Sequence, residues 1–424
     1  MSNCAIVGVN WGDEGKGRMV DYLAAKYDVV VRYQGGNNAG HTIVNEFGKF
    51  ALNLLPSGIF NKNTVNLLGS GMVIDIAHLV NEIEEIRTHG VHIGTDNLFV
   101  SDRAMICLPY HRAQDVLEEE RLAGKKFGST GRGIAPCYGD KYMKKGIQIG
   151  YLFYPELLRQ QLELIIDWKN AVFAAAYKQP ALILEEYMTW LIEYGETIKP
   201  YICDAAQLLA KLQAEGKDIL FEAQLGAMRD LDYGIYPYTS SSSPLAAYAP
   251  MGCGLPSLKL QDVVGVVKAY STCVGEGPFV GELSGKNAEE LREAGAEYGA
   301  ATGRPRRVAY MDLVASRYGV MLQGTTEIAL TKMDVLSYMD EIPVCVAYKV
   351  KGETVHNFPY TPELYTAEPV YQVLPGWRTD ISHIRNYEEL PIEARNYIEF
   401  IETGIGCPIT VVSVGPAREE LILR

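Results

Sequence analysis

The sequence lacks any apolar run long enough to cross a membrane. Its longest hydrophobic stretches fall well short of the ~18 residues that a membrane-spanning helix needs. The first residues, Met1 to Cys4, carry no basic segment, so we expect no signal peptide. The eight cysteines are scattered, with no C-x-x-C pair and no Cys/His cluster at metal-ligand spacing. This pattern indicates free thiols in a reducing cytoplasm and argues against a disulfide framework.

Basic residues are also in short supply, because 39 Lys and Arg face 52 Asp and Glu and the formal net charge is −13. A broad nucleic-acid-binding surface is therefore not expected, whereas a local basic pocket for a small anion is compatible with this charge. The chain has no internal repeat, no low-complexity tract and no linker rich in Pro, Ser and Gly. We therefore expect residues 1–424 to form one interlocked domain.

Alternating apolar strands and amphipathic helices predict an α/β fold with a mostly parallel central sheet, a helical insertion and smaller β elements. Strands are predicted at residues 5–9, 28–33, 98–100, 219–221, 263–270, 327–330, 344–350 and 409–414. A helix is predicted at residues 79–86, and the helical insertion at about 155–216, with two of its helices at 182–194 and 205–212. Its first helix should bury one apolar face formed by Leu157, Leu158, Leu162, Ile165 and Ile166.

The most informative segment is residues 10–17 (NWGDEGKG), which follows the first predicted strand. Its glycines let backbone N–H groups approach phosphate oxygens, and Lys16 adds a point charge, so we expect P-loop-like phosphate binding. It is not the ordinary P-loop, since Asn10 stands where that motif has Gly, and Gly17 replaces the magnesium-binding Ser or Thr. A carboxylate in such a loop repels phosphate unless it binds a metal or moves a proton. Asp13 is therefore the first candidate for chemistry.

A second glycine-rich turn, residues 35–42 (GGNNAGHT), follows the second predicted strand. Ligands of open α/β sheets bind at such strand ends. A lone histidine is more often structural than catalytic, but His41 stands between Gly and Thr in the second of two such turns. This context favours a role as hydrogen-bond donor or acid that faces a phosphoryl group.

The turn at residues 331–334 (TKMD) follows the strand predicted at 327–330 and is typical of guanine recognition. A carboxylate such as that of Asp334 can accept both the N1–H and the exocyclic amino group of guanine, a donor pair that adenine does not offer. The stem of Lys332 would pack on the base. The alternative is a solvated turn, and the two phosphate loops favour the guanine interpretation.

Three loops and one glutamine carry side chains that are suited to binding anionic or carbonyl groups of a ligand. For each of them the alternative is a purely structural role. Residues 302–307 (TGRPRR) place three arginines in a loop, either for carboxylate or phosphate groups or as a solvated surface. Residues 129–133 (STGRG) and the hydroxyl run 240–243 either bind phosphate or form turns. Gln224, just beyond the strand at 219–221, either polarises a carbonyl group or satisfies a buried turn.

Taken together, these segments resemble the adenylosuccinate synthetase family, the GTP-dependent ligases that join IMP to aspartate. The resemblance rests on residues 11–17, 35–42, 55–59, 131–134, 236–238, 302–304 and 331–334, which span nearly the whole chain in family order. The first two motifs are highly specific and the others are supportive. The resemblance implies a cytoplasmic homodimer that uses Mg²⁺ and makes adenylosuccinate through 6-phosphoryl-IMP, in the first committed step from IMP to AMP, with no nucleic-acid or membrane partner.

The resemblance also implies catalytic roles. Asp13 would remove the N1 proton of IMP and bind magnesium together with the carbonyl group of Gly40. Lys16 and His41 would stabilise the γ-phosphoryl group as it moves to O6, and Gln224 would face O6. Phosphorylation converts O6 into a leaving group that the amine of aspartate displaces, so that one hard step becomes two easier ones.

Three substrate subsites follow from the same resemblance. The GTP subsite would comprise Gly12, Glu14, Gly15, Lys16, Gly17, Gly40, Thr42, Arg306, Lys332, Asp334, Ser413 and Gly415. The IMP subsite would comprise Asn38, Thr130, Lys144, Gln224, Ser240 and Arg304, with Lys144 reaching the IMP of a neighbouring subunit. The aspartate subsite would comprise Thr302, Arg304 and Arg306.

The chain departs from the family pattern mainly near the nucleotide acceptor. The usual G-A-Q-G is AQLG at residues 223–226, so an ungapped alignment puts Leu225 at the catalytic Gln and Gln224 requires a local shift. Lys144 replaces an Arg and cannot fork onto phosphate. Further departures are Ser240 and Ser243 in place of Thr and Asn, Cys273 in place of Arg, Val280 and Gly281 in place of Pro and Thr, Asn53 in place of His, and a chain that ends at Arg424.

Three alternatives to IMP ligation follow. The same chemistry on another 6-oxopurine monophosphate, such as dGMP, would explain the departures, although Asp13 and His41 are both intact. A GTP-binding switch would have a Walker A motif and a metal-binding Thr, which the chain lacks. An inactive structural relative would not need to retain Lys16, Arg304 and Asp334.

Overall fold

The computed structural model describes residues 2–299 and 303–424. The strands in these ranges are β1 (Asn3–Gly8), β2 (Val29–Arg32), β3 (His41–Asn45), β4 (Gly48–Leu52), β5 (Val65–Leu68), β6 (Val73–Ile74), β7 (Leu98–Ser101), β8 (Met105–Ile106), β9 (Ile202–Cys203), β10 (Ile219–Glu222), β11 (Asp262–Lys268), β12 (Ser271–Cys273), β13 (Arg307–Ala309), β14 (Met311–Asp312), β15 (Glu327–Thr331), β16 (Glu341–Val350), β17 (Glu353–Val355), β18 (Glu368–Pro375), β19 (Ile409–Ser413) and β20 (Leu421–Leu423). The α-helices are α1 (Lys16–Ala24), α2 (Ile76–Thr88), α3 (Pro109–Leu122), α4 (Ile134–Tyr142), α5 (Pro155–Val172), α6 (Leu184–Ile198), α7 (Ala205–Ala214), α8 (Ala249–Cys253), α9 (Gly285–Gly295), α10 (Leu313–Gln323), α11 (Thr361–Leu364) and α12 (Ile392–Ile405).

Ten strands form the central sheet in the order β20-β19-β15-β11-β1-β10-β2-β5-β7-β9. Neighbouring strands run parallel except for β19 and β20. Strands β1, β2 and β10 are buried along their whole length, as expected for apolar strands covered on both faces. The predicted α/β fold with a largely parallel central sheet is confirmed.

Strand β1 lies in the middle of this sheet, with both edges paired. Ala5 is in register with Phe221 of β10 on one side and with Val263 of β11 on the other. Parallel strands end at the same edge of a sheet, so the loops that follow β1, β2, β10, β11, β15 and β19 meet there. Residues 10–17, 35–42 and 331–334 are three of these loops.

The helical insertion is confirmed in its main elements and wrong in two details. Helix α5 begins at Pro155, whose fixed φ suits a first helical turn, and it buries Leu158 and Leu162. Leu157 is 52 % exposed, because one residue turns the helix by about 100° away from the buried face. The insertion also contains β9, which supplies the last strand of the central sheet and is too short to show a period in the sequence.

Smaller sheets surround the central one. Strands β3 and β4 form an antiparallel hairpin directly after the second glycine-rich turn. Strand β16, whose second half was predicted at 344–350, pairs with β14, β17 and β18.

Among residues 2–299 and 303–424, no helix combines the length and the apolar character that a membrane span requires.

Candidate active site

A cavity of about 1480 Å³ lies at the carboxyl edge of the central strands. We call it the central cavity. It brings together most of the residues predicted to form a site: Gly12, Asp13, Glu14, Gly15, Lys16, Gly17, Asn38, Gly40, His41, Thr42, Thr130, Gln224, Ser240, Arg306, Lys332, Asp334, Ser413 and Gly415 line it. Three substrates of the size of two nucleotides and an amino acid need a space of this order.

The first glycine-rich loop turns sharply from β1 into α1. Gly12 and Gly15 have φ of 102° and 96°, conformations that favour glycine, and Asp13 between them also has a positive φ of 60°. The carboxylate of Glu14 folds back onto the loop, where it accepts a hydrogen bond from the N–H of Gly12 at 2.8 Å. Its other oxygen lies 2.6 Å from Nζ of Lys16, and both side chains are buried. The lysine is thus held at the first turn of α1, at the positive end of the helix dipole.

The carboxylate of Asp13 points into the central cavity and is about one-third exposed. Its Oδ2 atom lies 3.1 Å from Nε of Arg306, an ion pair without hydrogen-bond alignment because that Nε has no hydrogen-bond partner. The positive φ at Asp13 is a strained conformation of the kind that concentrates at functional sites.

His41 is held by a buried carboxylate at the end of β10. Its Nδ1 atom lies 2.5 Å from Oε1 of Glu222, which also accepts hydrogen bonds from the backbone N–H and the hydroxyl group of Ser57. Burial lowers the pKa of the His41 imidazole, and Glu222 opposes this effect. Burial alone would raise the pKa of Glu222, but the hydrogen bond from His41 brings it below its ordinary value. Glu222 is therefore the carboxylate that accepts a hydrogen bond from Nδ1–H of His41, and Nε2 of the ring is left to face the cavity.

Gln224 lies between the two glycine-rich loops. Its amide nitrogen donates to Oδ1 of Asn38 at 3.1 Å, and its oxygen accepts from Arg32 at 3.1 Å. Its neighbour Leu225 lines the same cavity with a φ of 62°, a strained conformation for a residue with a Cβ atom. The structure places both residues at the cavity, and Gln224 is the one that connects to Asn38.

The turn at 331–334 is joined to both the first loop and the C-terminal segment. The hydroxyl group of Thr331 donates to the carbonyl group of Glu14 at 2.7 Å, and the N–H of Met333 donates to the carbonyl group of Ser413 at 3.1 Å. Lys332 has a positive φ of 64°, and its Nζ donates to the carbonyl group of Gly295 at 2.7 Å.

The carboxylate of Asp334 is the notable group of this turn. Its Oδ1 atom is buried and has no hydrogen-bond partner, and burial raises the pKa of Asp334. An unpaired buried acceptor costs stability, so the arrangement is suited to a ligand that supplies donors.

Two further segments line the cavity, residues 127–136 (apart from 131–133) and residues 236–241. Asp115 of α3 orders the first of these segments, since it accepts from the Ser129 hydroxyl at 2.6 Å and from the Gly133 N–H at 2.9 Å. Arg229 is buried and orders the second: it donates to the carbonyl groups of Tyr238 and Val274, and also contacts Sγ of Cys273 at 2.9 Å. A guanidinium from the turn after β10 therefore occupies the space beside Cys273.

Two predicted site residues among those that the structure describes do not line the central cavity. Lys144 is exposed on the turn after α4. Arg304 is largely exposed, with NH2 at 3.9 Å from Oε1 of Glu276. Thr302 lies outside the described residues.

Several residues of the site were not predicted from the sequence. Glu222 could have been found as a charged residue that ends a strand buried on both faces. Asp115 and Glu297 carried no signal, because a carboxylate on or after a polar helix ordinarily faces solvent.

One Cys/His group that the spacing along the sequence did not indicate is formed by the fold: ligand atoms of Cys107, His111 and Cys137 lie within 4.8 Å of one another. Both ring nitrogens of His111 are already used, since Nδ1 accepts from Leu108 N–H and Nε2 contacts Asp140, each at 2.9 Å. The cluster therefore offers no free imidazole nitrogen to a metal.

Comparison with known proteins is consistent with this geometry. The family model described as adenylosuccinate synthetase matches residues 5–422. The chain belongs to the adenylosuccinate synthetase family. It is 47 % identical to adenylosuccinate synthetase 2 of Pseudoalteromonas translucida, over the full length of both chains.

Solved structures agree with this assignment. Fully ligated adenylosuccinate synthetase from Plasmodium falciparum has a TM-score of 0.93 and 37 % identity to this chain, with 99 % of each chain covered. The cyanophage S-2L succinoaminodeoxyadenylate synthetase, bound to dGMP and dATP, has a TM-score of 0.62, covers 100 % of this chain and 95 % of its own, and shares the fold at 18 % identity. As an adenylosuccinate synthetase, the chain is a GTP-dependent ligase of purine biosynthesis that joins IMP and aspartate.

Proposed function

We propose that this ligase forms adenylosuccinate in two steps within the central cavity, with the residue roles given below. The observation that carries the proposal is the shared cavity itself. The cavity is lined by Asp334, whose Oδ1 atom has no hydrogen-bond partner, by Asp13 and His41, and by residues 127–136 (apart from 131–133) and 236–241. This set supplies groups for a guanine pocket, a phosphoryl-transfer centre and an acceptor pocket.

The GTP end is supported by the donors and acceptors around Asp334. Guanine N1–H and its amino group would supply donors to the Asp334 carboxylate, whose buried Oδ1 atom has no hydrogen-bond partner. Ser413 and Gly415 close this pocket. The guanidinium group of Arg18 in α1 donates to the carbonyl group of Gly415 at 2.5 Å and holds it in place. The phosphates would lie along residues 12–17, over the N-terminus of α1.

In the first step, Asp13 accepts the N1 proton of IMP, and O6 attacks the γ-phosphoryl group. Lys16 supplies positive charge to the transferred group. His41, fixed through Nδ1 by Glu222, faces the same group through Nε2, and the negative charge of Glu222 partly offsets the burial that lowers the pKa of the imidazole. The Gln224 amide, one hydrogen bond from Asn38, lies at the O6 side.

Magnesium fits the donor set at this place. The carboxylate of Asp13 and the exposed backbone at Gly40 line the same cavity, and oxygen ligands are those that Mg²⁺ prefers. The bound ion would neutralise charge on the phosphoryl oxygens.

In the second step, the amine of aspartate attacks C6, the C6–O6 bond breaks, and O6 leaves as part of inorganic phosphate. We assign the aspartate carboxylates to Arg304, Arg306 and Thr302. The support in the described residues is Arg306, whose Nε has no hydrogen-bond partner and whose fork suits a carboxylate.

A second acceptor, such as dGMP, is favoured by one observation. Leu225 lines the acceptor side where the family usually has a glutamine, so the pocket around Gln224 is not that of a typical member. IMP remains the acceptor that we propose, because Asp13 and His41 keep the chemistry of the usual reaction.

We further propose one domain, a cytoplasmic location and a homodimer. One domain is supported by the central sheet, which combines β1 with β19 and β20. The scattered cysteines support a reducing compartment. An exposed Lys144, outside its own cavity, supports a role at the IMP of a second subunit.

Product identification tests this proposal. Purified protein is incubated with GTP, Mg²⁺, aspartate and one acceptor at a time (IMP, dGMP, GMP or none), and products are identified by mass spectrometry. We expect adenylosuccinate, GDP and phosphate with IMP alone, and no turnover by Asp13→Ala although GTP still binds. A succinylated product from dGMP only would replace IMP as the acceptor, and full activity of Asp13→Ala would remove it as the base.

A further inference from the structure

Glu297 is the buried junction of three cations from different parts of the chain. It follows α9 and is fully buried. Its Oε1 atom lies 2.8 Å from Nζ of Lys268, 2.5 Å from the hydroxyl group of Tyr270 and 4.0 Å from Nζ of Lys332. Its Oε2 atom lies 2.6 Å from NH1 of Arg306. Burial raises the pKa of Glu297, but the three cations outweigh this effect and bring it to about 2, so that the carboxylate is charged.

Two of these cations belong to different substrate subsites. Lys332 is part of the turn assigned to guanine, and Arg306 is assigned to the aspartate carboxylate. We propose that Glu297 is a positioning residue that couples the guanine pocket to the aspartate pocket, because one carboxylate fixes the cation of each. The inference rests on the proposed function and assigns Glu297 no contact with substrate.

The backbone supports the same connection. The N–H of Arg306 donates to the carbonyl group of Glu297 at 2.9 Å, so residues 297 and 306 are paired through both backbone and side chain. Lys332 donates to Gly295, two residues before Glu297, at 2.7 Å. Residues 294–296 line the central cavity, and Ala296 has a positive φ of 49°. A shift of Glu297 would therefore move both subsites.

The charge of Glu297 affects the catalytic site because Asp13 contacts the same guanidinium group, that of Arg306. Arg306 lies between Glu297 and Asp13, with contacts of 2.6 Å and 3.1 Å. The buried Glu297 holds one side of the guanidinium in place. The partly exposed Asp13, which lines the central cavity, holds the other side. Without the Glu297 charge, Arg306 would retain Asp13 as its carboxylate partner and would meet aspartate less well.

Glu297→Gln tests the coupling, since it keeps the shape and one acceptor oxygen but removes the charge. We expect the KM for aspartate and the KM for GTP each to rise about 10-fold, with a smaller change in kcat and an unchanged KM for IMP. The matched control is Asp312→Asn, because Asp312 is also a fully buried carboxylate but does not line the central cavity. Asp312→Asn should leave all three KM values unchanged; if Glu297→Gln does the same and lowers only the yield of active enzyme, its role is purely structural and the proposal is overturned.

A double-mutant cycle separates the two branches. In an Arg306→Met background, Glu297→Gln should add little to the rise in KM for aspartate but should still raise the KM for GTP through Lys332. Additive effects on aspartate would show that Glu297 does not act through Arg306 and would contradict the inference. If the wild-type protein forms no adenylosuccinate, the proposed function fails instead, and the two failures are distinct.

Discussion

Nδ1 of His41 lies 2.5 Å from Oε1 of Glu222, although the two residues are 181 positions apart in the sequence. The hydrogen bond joins the start of β3, directly after Gly40, to the end of β10. This hydrogen bond leaves Nε2 of His41 as the ring nitrogen that can face the cavity. Its acceptor, the carboxylate of Glu222, is buried away from water.

Replacing this carboxylate should slow the chemistry more than it weakens binding. In Glu222→Gln an amide oxygen still accepts Nδ1–H, but the charge that favours a cationic imidazole is gone. A lost charge-assisted hydrogen bond contributes about 1.5–3 kcal/mol, so kcat should fall about 10- to 100-fold. Steady-state kinetics with IMP, GTP and aspartate measures this. Ser57→Ala, which removes another donor to Glu222, is the control and should have a smaller effect; a normal kcat for Glu222→Gln would mean that the charge is not needed.

Asp334→Asn should change the choice of nucleotide. The amide offers its NH₂ group where guanine needs a second acceptor, and two charge-assisted hydrogen bonds of about 1.5 kcal/mol each imply roughly 100-fold weaker use of GTP. Xanthosine triphosphate, which carries a carbonyl group at position 2, should become the better substrate. The measurement is kcat/KM for GTP, XTP and ATP. An unchanged preference for GTP over ATP would exclude Asp334 as the guanine reader.

Gln224 and Leu225 should differ sharply when each is truncated to alanine. Gln224→Ala removes the donor to Asn38 and the acceptor for Arg32, and we expect kcat to fall by about 10-fold with a higher KM for IMP. Leu225→Ala removes only apolar contact and should change kcat less than about threefold. The opposite ranking would place the O6-facing role at position 225.

Asp312 should make stability depend on pH. Burial raises the pKa of Asp312 to about 6, from the ordinary value of 3.8. Between these values the folded state binds more protons than the unfolded state, so this residue lowers the free energy of unfolding as pH rises from about 4 to 6. The whole effect is about 3 kcal/mol at most, at 1.36 kcal/mol per pH unit.

Asp312→Asn should remove this part of the pH dependence. The amide oxygen can still accept from Val314 N–H and Ala315 N–H at the start of α10. Melting temperatures of both proteins, measured from pH 4 to pH 7, should show the variant gaining on the wild type as pH rises. A constant difference across this range would contradict the assignment.

The parts of the fold that could be predicted are those with a local signal. Strands β1 and β2 are short, mostly apolar runs, and the glycine-rich loops after them mark the edge where ligands bind. Strand β9 has two residues and no period, so its place at the end of the sheet depends on pairing with β7. The orientation of Leu157 was wrong because an apolar residue next to a buried face is not itself buried.

The candidate site, like the fold, combines residues that a local sequence pattern indicates with residues that no local pattern indicates. Asp13, Lys16, His41 and Asp334 could be named because each stands in a turn whose residues suit a phosphate or a base. The partners that hold them could not, since contacts such as those of Glu222 and Glu297 join residues far apart in the chain. Only the packed structure brings them together.

The position of β1 has a consequence for synthesis of the protein on the ribosome. This strand carries the first phosphate loop, yet both of its neighbours, β10 and β11, come from residues 219–268. The growing chain therefore exposes both edges of this strand until more than half of the protein has been made, which is a hazard for aggregation. Contacts across such distances also form slowly. The ability to bind nucleotide thus arises late, and nascent chains that end before β11 should depend on chaperones rather than on substrate for protection.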